Sequence, residues 1–225
     1  MKDLGGTFGG EGVGVGEDLV FESASLIKVL ILAELLRQVD KGQISLYDPL
    51  GDSTVGRLAK SMIVVSDNAA ANLLMDRVGF EEINTLARDL GLKDTHLSRH
   101  MLDYEARGSG KDNLTSASDM VTLFSAIWKG EFLSSDSRKL ALSILRRQRL
   151  NEKIPAALPP GTFIAHKTGE LPSIEHDAGI VILPDGAFAI AVLTEGDNAS
   201  GIATIRRAAS LTYETFSTPE ASGSP

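Results

Sequence analysis

The sequence predicts an α+β fold, an α/β sandwich in which an antiparallel β-sheet is covered by helices from both ends of the chain and an all-helical subdomain is inserted between them. Three observations predict it. Apolar residues recur at helical spacing from Leu26 to Leu145, the period shortens to that of strands between Thr162 and Thr194, and a last helical stretch runs from Ala199 to Phe216. We expect one domain over residues 1–216, its α/β part at about 1–45 and 155–216 and its all-helical part at about 46–154, followed by a disordered polar tail at 217–225.

Residues 1–16 hold seven glycines and read either as a loose lead or as a poor first strand. Leu19 to Glu22 is a short strand that delivers the chain to Ser25. From Ser25 to Val39 apolar side chains cover nearly every face, as in a helix enclosed by its own domain, and Asp40-Lys41-Gly42 stops it. Tyr47 to Asp52 is a turn, and Ser53 or Thr54 caps a helix carrying Val55, Leu58, Ala59 and Met62. Further helices begin near Asn68, at Phe80, after Ser116 and around Leu140, while 92–115 reads as irregular. Strand-like runs follow at Thr162–His166, His176–Leu183 and Ala187–Thr194, the last two joined through Pro184-Asp185-Gly186 as a hairpin.

Composition narrows the function classes. With 225 residues, 43% hydrophobic and 23% charged, the chain is globular and long enough for an ordinary core. A net charge of -8 argues against nucleic acid, and the one basic cluster, Arg146, Arg147, Arg149 and Lys153, reads as the solvated end of a helix. Cysteine is absent, which removes disulfides, thiolate metal sites and cysteine nucleophiles. No HExxH pattern occurs, and we expect neither metal nor cofactor. Lys28, Glu34 and Arg37 interrupt the longest apolar run, so no membrane span is expected; nor does an apolar signal core follow Met1. We expect a monomer.

Three short motifs carry chemistry: Ser25-Leu26-Ile27-Lys28, opening the buried helix; Ser66-Asp67-Asn68, between two helices; and Lys167-Thr168-Gly169, on a strand. In a helix, residues three apart share a face, separated by roughly 4.5 Å of rise, so Lys28 is placed beside Ser25. A desolvated lysine with a lowered pKa can take a serine's proton. Singly, each motif has a plainer reading: a cap serine, a loop amide, a solvated strand lysine. No GxSxG elbow competes with them, and His96, His100, His166 and His176 lack an evident nucleophile. His166 faces away from Lys167 on the strand and is expected to be structural, whereas His96 and His100 are spaced for one helical face.

Together and in this order, the motifs resemble those of class A β-lactamases and penicillin-recognising serine hydrolases. The stretches ESASLIKVLILAELL, VGRLAKSMIVVSDNAAANLLMDRVG and PPGTFIAHKTGE extend the likeness, which runs from about Glu17 to Phe216. The resemblance implies the β-lactamase/transpeptidase-like fold, an extracytoplasmic location, and a β-lactam or peptidoglycan-like substrate. It implies Ser25 as nucleophile, Lys28 as its base, Ser66 as proton donor to the departing nitrogen and Lys167 as the charge that orients Ser66 and attracts a substrate carboxylate. Asn68 and Thr168 would bind substrate, and the backbone N–H groups of Ser25 and Glu170, next to Gly169, would form the oxyanion hole.

The chain departs from the family pattern in three places. If Arg99 matches the arginine that anchors the omega loop, the position of the deacylating glutamate falls on Met101, leaving Asp103, Glu105 and Glu170 as the nearby carboxylates. A thioether takes no proton, so deacylation is expected to be slow. The segment before Ser25 is too short for the family's leading helix and a full pair of strands, and a cleft-walling loop between Pro49 and Thr54 is missing. The expected function is β-lactam hydrolysis through an acyl-serine; the alternatives are a D-alanyl-D-alanine peptidase or esterase and a non-hydrolytic penicillin-binding sensor.

Overall fold

The computed structural model describes residues 1–4 and 12–217, so most of the glycine-rich lead and the tail beyond Ser217 lie outside the described residues. The chain begins with β1 (Lys2–Asp3) and β2 (Phe21–Glu22), makes a 3-10 turn at Ala24–Leu26, and enters α1 (Ile27–Asp40). β3 (Pro49–Leu50) and β4 (Ser53–Thr54) form a minimal hairpin. Helices α2 (Val55–Val64), α3 (Asn68–Val78), α4 (Phe80–Asp89) and α5 (Tyr104–Gly108), strand β5 (Leu114–Thr115), and helices α6 (Ala117–Lys129) and α7 (Ser135–Leu145) make up the middle. A 3-10 turn at Pro155–Ala157 leads into β6 (Phe163–Leu171), β7 (Ile174–Leu183), β8 (Gly186–Glu195) and α8 (Asn198–Ser217). The α+β fold is the one the sequence predicts.

α1 is the axis. Leu26 to Leu36 are buried almost without a break, including Lys28 and Glu34. A helix enclosed on all sides must satisfy its polar members internally. Glu34 does so through Arg37 (2.6 Å) and Gln38 (3.0 Å), and Gln38 also donates to the Val78 carbonyl (3.0 Å), tying α1 to α3. Thr54, Asp67 and Ser116 cap α2, α3 and α6 through their side chains.

The sheet runs β1-β8-β7-β6, antiparallel throughout, with β6 at a free edge. β1 shields part of the other edge, at Phe188 and Ala189 of β8, the exposure that the short leading segment threatened. β6 and β7 are longer than their apolar runs suggested and meet at a two-residue hairpin, Pro172-Ser173, with Ser173 at φ 65°. Residues 92–115 are less irregular than expected, since α5 and β5 fall within them and β5 pairs with β2.

Two expectations are corrected. His96 and His100 share no helical face: His96 forms a bridge to Leu114, and His100 hydrogen-bonds Asp76 at 2.7 Å with its ring edge-on to Phe80. Lys153 is not a solvated helix end but 4% exposed, with its ammonium turned onto the sheet. Among the described residues no helix is long and apolar enough to cross a membrane.

Candidate active site

The 3-10 turn carrying Ser25 packs against β6, where the chains approach so closely that a Cβ on Gly169 would lie 3.1 Å from Ala24 Cβ and 3.2 Å from the Ser23 carbonyl. A larger residue here would push the turn back by a few tenths of an ångström. Two non-glycine residues at the site have left-handed backbones, Ala24 (φ 47°) and Ser66 (φ 58°). Each costs of order 1–2 kcal/mol and holds only where its surroundings fix it. For Ser66 the fixing contact is the Lys28 ammonium, which donates to its carbonyl at 2.7 Å.

Ser66 stands at the centre. Its hydroxyl lies 2.9 Å from Ser25 Oγ, 3.1 Å from Lys28 Nζ and 3.0 Å from Lys167 Nζ. Three segments remote in the chain therefore meet at one oxygen. Lys28 completes its shell with Asn68 Oδ1 at 2.6 Å, and Lys167 with the Thr168 carbonyl at 2.8 Å. This differs in one detail from the sequence expectation. Ser25 lies in the 3-10 turn ahead of α1, and the Lys28 side chain swings to Ser66 and Asn68, so Lys28 is linked to Ser25 through the Ser66 hydroxyl and not directly.

Both lysines are buried, and their hydrogen bonds run to neutral oxygens. Burial pushes Lys28 down from 10.5 to about 7, against the opposing pull of Asp67. Burial also pushes Lys167 well below its ordinary value, helped by the charges of Lys28 and Lys153 and opposed by Asp177. An amine with a pKa near neutrality, as Lys28 has, is available as a neutral base, and a hydroxyl that touches both it and Ser25 is equipped to relay a proton between them.

Of the other predicted residues, Thr168 is buried across from Asp177 in the β6–β7 register, and Glu170 is exposed at the cleft. A small cavity of about 100 Å³ opens at Ser25, lined by Asn68, Arg99, Met101, Leu102, Tyr104 and Glu170 among others. Met101 is held there by its backbone: its N–H donates to Asn72 Oδ1 at 2.7 Å, and Asn72 Nδ2 donates to its carbonyl at 3.1 Å. Arg99, paired with Asp112 at 2.7 Å, anchors the same loop. Asp103 instead caps α5 by accepting from the Ala106 N–H, and neither it nor Glu105 lines the cavity.

The family model described as the beta-lactamase enzyme family matches residues 1–54 and 49–216. The chain belongs to the beta-lactamase enzyme family. Among solved structures it is similar to the L158E mutant of PBP-A in an acyl-enzyme complex with penicillin G, at 32% identity and TM-score 0.82, covering 91% of this chain and 85% of that one. It is likewise similar to a β-lactamase from Sphaerobacter thermophilus DSM 20745, at 28% identity and TM-score 0.83, covering 92% and 87%. A variant of the last common ancestor of Gram-negative class A β-lactamases matches at 27% identity and TM-score 0.83, covering 94% and 90%.

Within this β-lactamase-like site, several positioning residues escaped the sequence reading because each acts on backbone far away in the chain. Asn84 brackets Leu97, donating to its carbonyl at 2.9 Å and accepting from its N–H at 2.8 Å. Asn113 does the same for Arg99, and Asp119 accepts from the amides of Lys93 and Asp94 and the hydroxyl of Thr95. His166, expected to be structural, is buried against Asp177 at 2.9 Å on the face of β6 away from Ser66. His176 bridges β7 to the Glu22 carbonyl at 3.0 Å, just ahead of Ser25.

Proposed function

We propose that this chain is a serine hydrolase that opens β-lactams through an acyl-Ser25 intermediate, acylating readily and deacylating slowly. The observation that carries the reading is the convergence of the Ser25 hydroxyl and two buried amines on the Ser66 hydroxyl, each within 3.1 Å of it. Ser25 Oγ bonds to the lactam carbonyl carbon while its proton passes to Ser66 Oγ and the Ser66 proton to neutral Lys28. Collapse of the tetrahedral intermediate breaks the C–N bond, and the proton returns from Lys28 through Ser66 to the departing nitrogen. Lys167 holds Ser66 in place and attracts the substrate carboxylate, Asn68 and Thr168 bind the rest of the substrate, and the N–H groups of Ser25 and Glu170 receive the oxyanion.

Slow deacylation follows from the wall of the cavity. Where the family pattern places a water-activating glutamate stands the thioether of Met101, and the one carboxylate lining the cavity, Glu170, is exposed at the cleft. The similarity to PBP-A supports a second reading, a peptidase or esterase of the penicillin-binding type, which would use the same acylation apparatus. Intact mass spectrometry over time after mixing with penicillin G tests both. A serine adduct that decays over minutes supports slow hydrolysis, and a permanent one supports the penicillin-binding reading. Absence of any adduct, or an adduct surviving in Ser25→Ala, refutes the assignment.

A further inference from the structure

Pro172-Ser173 is a two-residue hairpin, so Leu171 and Ile174 close it as a hydrogen-bonded pair, and such pairs recur at every second residue down the ladder. Gly169 and His176 are therefore a bonded pair, whereas Glu170 and Glu175 are not. The Glu170 N–H consequently points off the free edge of the sheet, on the side where the Ser25 turn packs, and the Gly169 carbonyl points inward to β7. These two groups are opposite ends of one planar peptide. On the inward end sits Lys153: its Nζ donates to the Gly169 carbonyl at 2.9 Å and to the His176 carbonyl at 3.2 Å. Its buried counter-ion is Glu175, which also accepts from Asn198 at the start of α8 at 2.8 Å. Lys153 is 4% exposed and Glu175 3%, a costly pair to bury unless it positions something.

We propose that Lys153 is a positioning residue for the oxyanion hole, fixing the plane of the Gly169–Glu170 peptide from behind so that the Glu170 N–H is aimed at the carbonyl oxygen above Ser25. Resting on the acyl-Ser25 reading above, it adds a polarising effect: a cation on the carbonyl end of an amide withdraws charge and strengthens the N–H as donor. No atom of Lys153 touches the substrate.

Removing either partner alone would strand a buried charge, so the test compares the unmodified chain with the double variant K153M/E175Q, which buries none. The readouts are the second-order rate of acylation by penicillin G and the infrared band of the acyl-ester carbonyl, carbon-13 labelled in the β-lactam. The expected result is a 10- to 100-fold slower acylation in the double variant, because a displaced donor forfeits part of the 10²–10³ that a lost one costs, together with a shift of the ester band to higher wavenumber. Unchanged rate and band, or a slower rate with the band unmoved, overturn the proposal for Lys153 while leaving acylation intact. An unmodified chain that forms no adduct overturns the acylation reading, and this one with it. If K153M/E175Q does not fold, K153R keeps the ion pair but aims its planar fork differently, and the same band shift is expected; its absence counts against the proposal equally.

Discussion

The pH dependence of acylation tests the lysine relay most directly. Lys28 loses its water to α1, Ser66 and Asn68, and its pKa falls from 10.5 to about 7. At 1.36 kcal/mol per unit, that gap is about 5 kcal/mol of disfavoured charge, the driving force that makes the amine a base near neutrality. Only the neutral amine accepts the Ser25 proton. The acylation rate constant, which reports the free enzyme, should therefore rise tenfold per pH unit below 7 and level off above it, standing about 100-fold lower at pH 5 than on the plateau. Stopped-flow mixing with a chromogenic cephalosporin from pH 5 to 9 measures it. Lys28→Arg, whose guanidinium stays charged throughout, should lose about 10²-fold or more at every pH. Equal rates at pH 5 and 8, or an arginine variant within tenfold of the parent, would refute the argument. The linked effect on stability has a definite sign. Between pH 7 and 10.5 the unfolded lysine keeps a proton that the folded one has released, so Lys28's contribution to unfolding free energy rises with pH across that window and is flat below it.

Three further outcomes follow from the geometry. Met101→Glu puts a carboxylate into the cavity of about 100 Å³ at Ser25 and should shorten the acyl-enzyme lifetime at least tenfold by mass spectrometry; an unchanged lifetime removes Met101 from the deacylation argument. Asp119→Ala orphans the amides of Lys93 and Asp94 and leaves the Thr95 hydroxyl with Thr115 alone, and should cost about 3 kcal/mol in urea unfolding, with acylation falling as the 93–99 loop loosens. In Gly179→Ala the new methyl would lie 2.5 Å from the Ala165 carbonyl oxygen and 2.8 Å from His166 Cα, backbone that cannot yield inside a sheet, so a loss of about 3 kcal/mol or more is expected, and a loss below 1 kcal/mol would show the β6–β7 pairing to be wrong.

What the sequence makes legible here is whatever has a period or a fixed spacing. α1 announces itself through an unbroken apolar run, and the β7–β8 hairpin through Pro184-Asp185-Gly186 between two strand-like stretches. Hydropathy alone does not give the adjoining ends of β6 and β7, because Lys167, Thr168 and Glu175 are polar residues buried there, although the Lys167-Thr168-Gly169 motif is itself read on a strand. Two-residue strands such as β2 and β5 are too short to have a period at all. At the site, helical spacing pairs Ser25 with Lys28 but misreads the path between them, because a rotamer and a 3-10 turn decide it, while Ser66 and Lys167 join them only through the resemblance of their motifs to the family's. Lys153 is invisible for a different reason. It closes a run of arginines that reads as solvated surface, and only the three-dimensional return of β6 and β7 gives it carbonyls to hold.

The charge arrangement ties these threads together. A chain of net charge -8 buries two lysines, Lys28 and Lys167, on the hydroxyl of Ser66, and gives a carboxylate partner only to a third buried lysine, Lys153, which holds the Gly169 and His176 carbonyls behind them. The two amines that share Ser66 Oγ are left with neutral oxygens. Like charges this close, in a medium that desolvates both, cannot both stay protonated without large cost, so one proton is always the more easily released. A carboxylate beside either lysine would relieve that tension and fix both as cations, ending the relay. On the proposed acylation reading, an anionic substrate relieves it only on binding, stabilising Lys167 as the cation and leaving Lys28 as the neutral base when Ser25 gives up its proton.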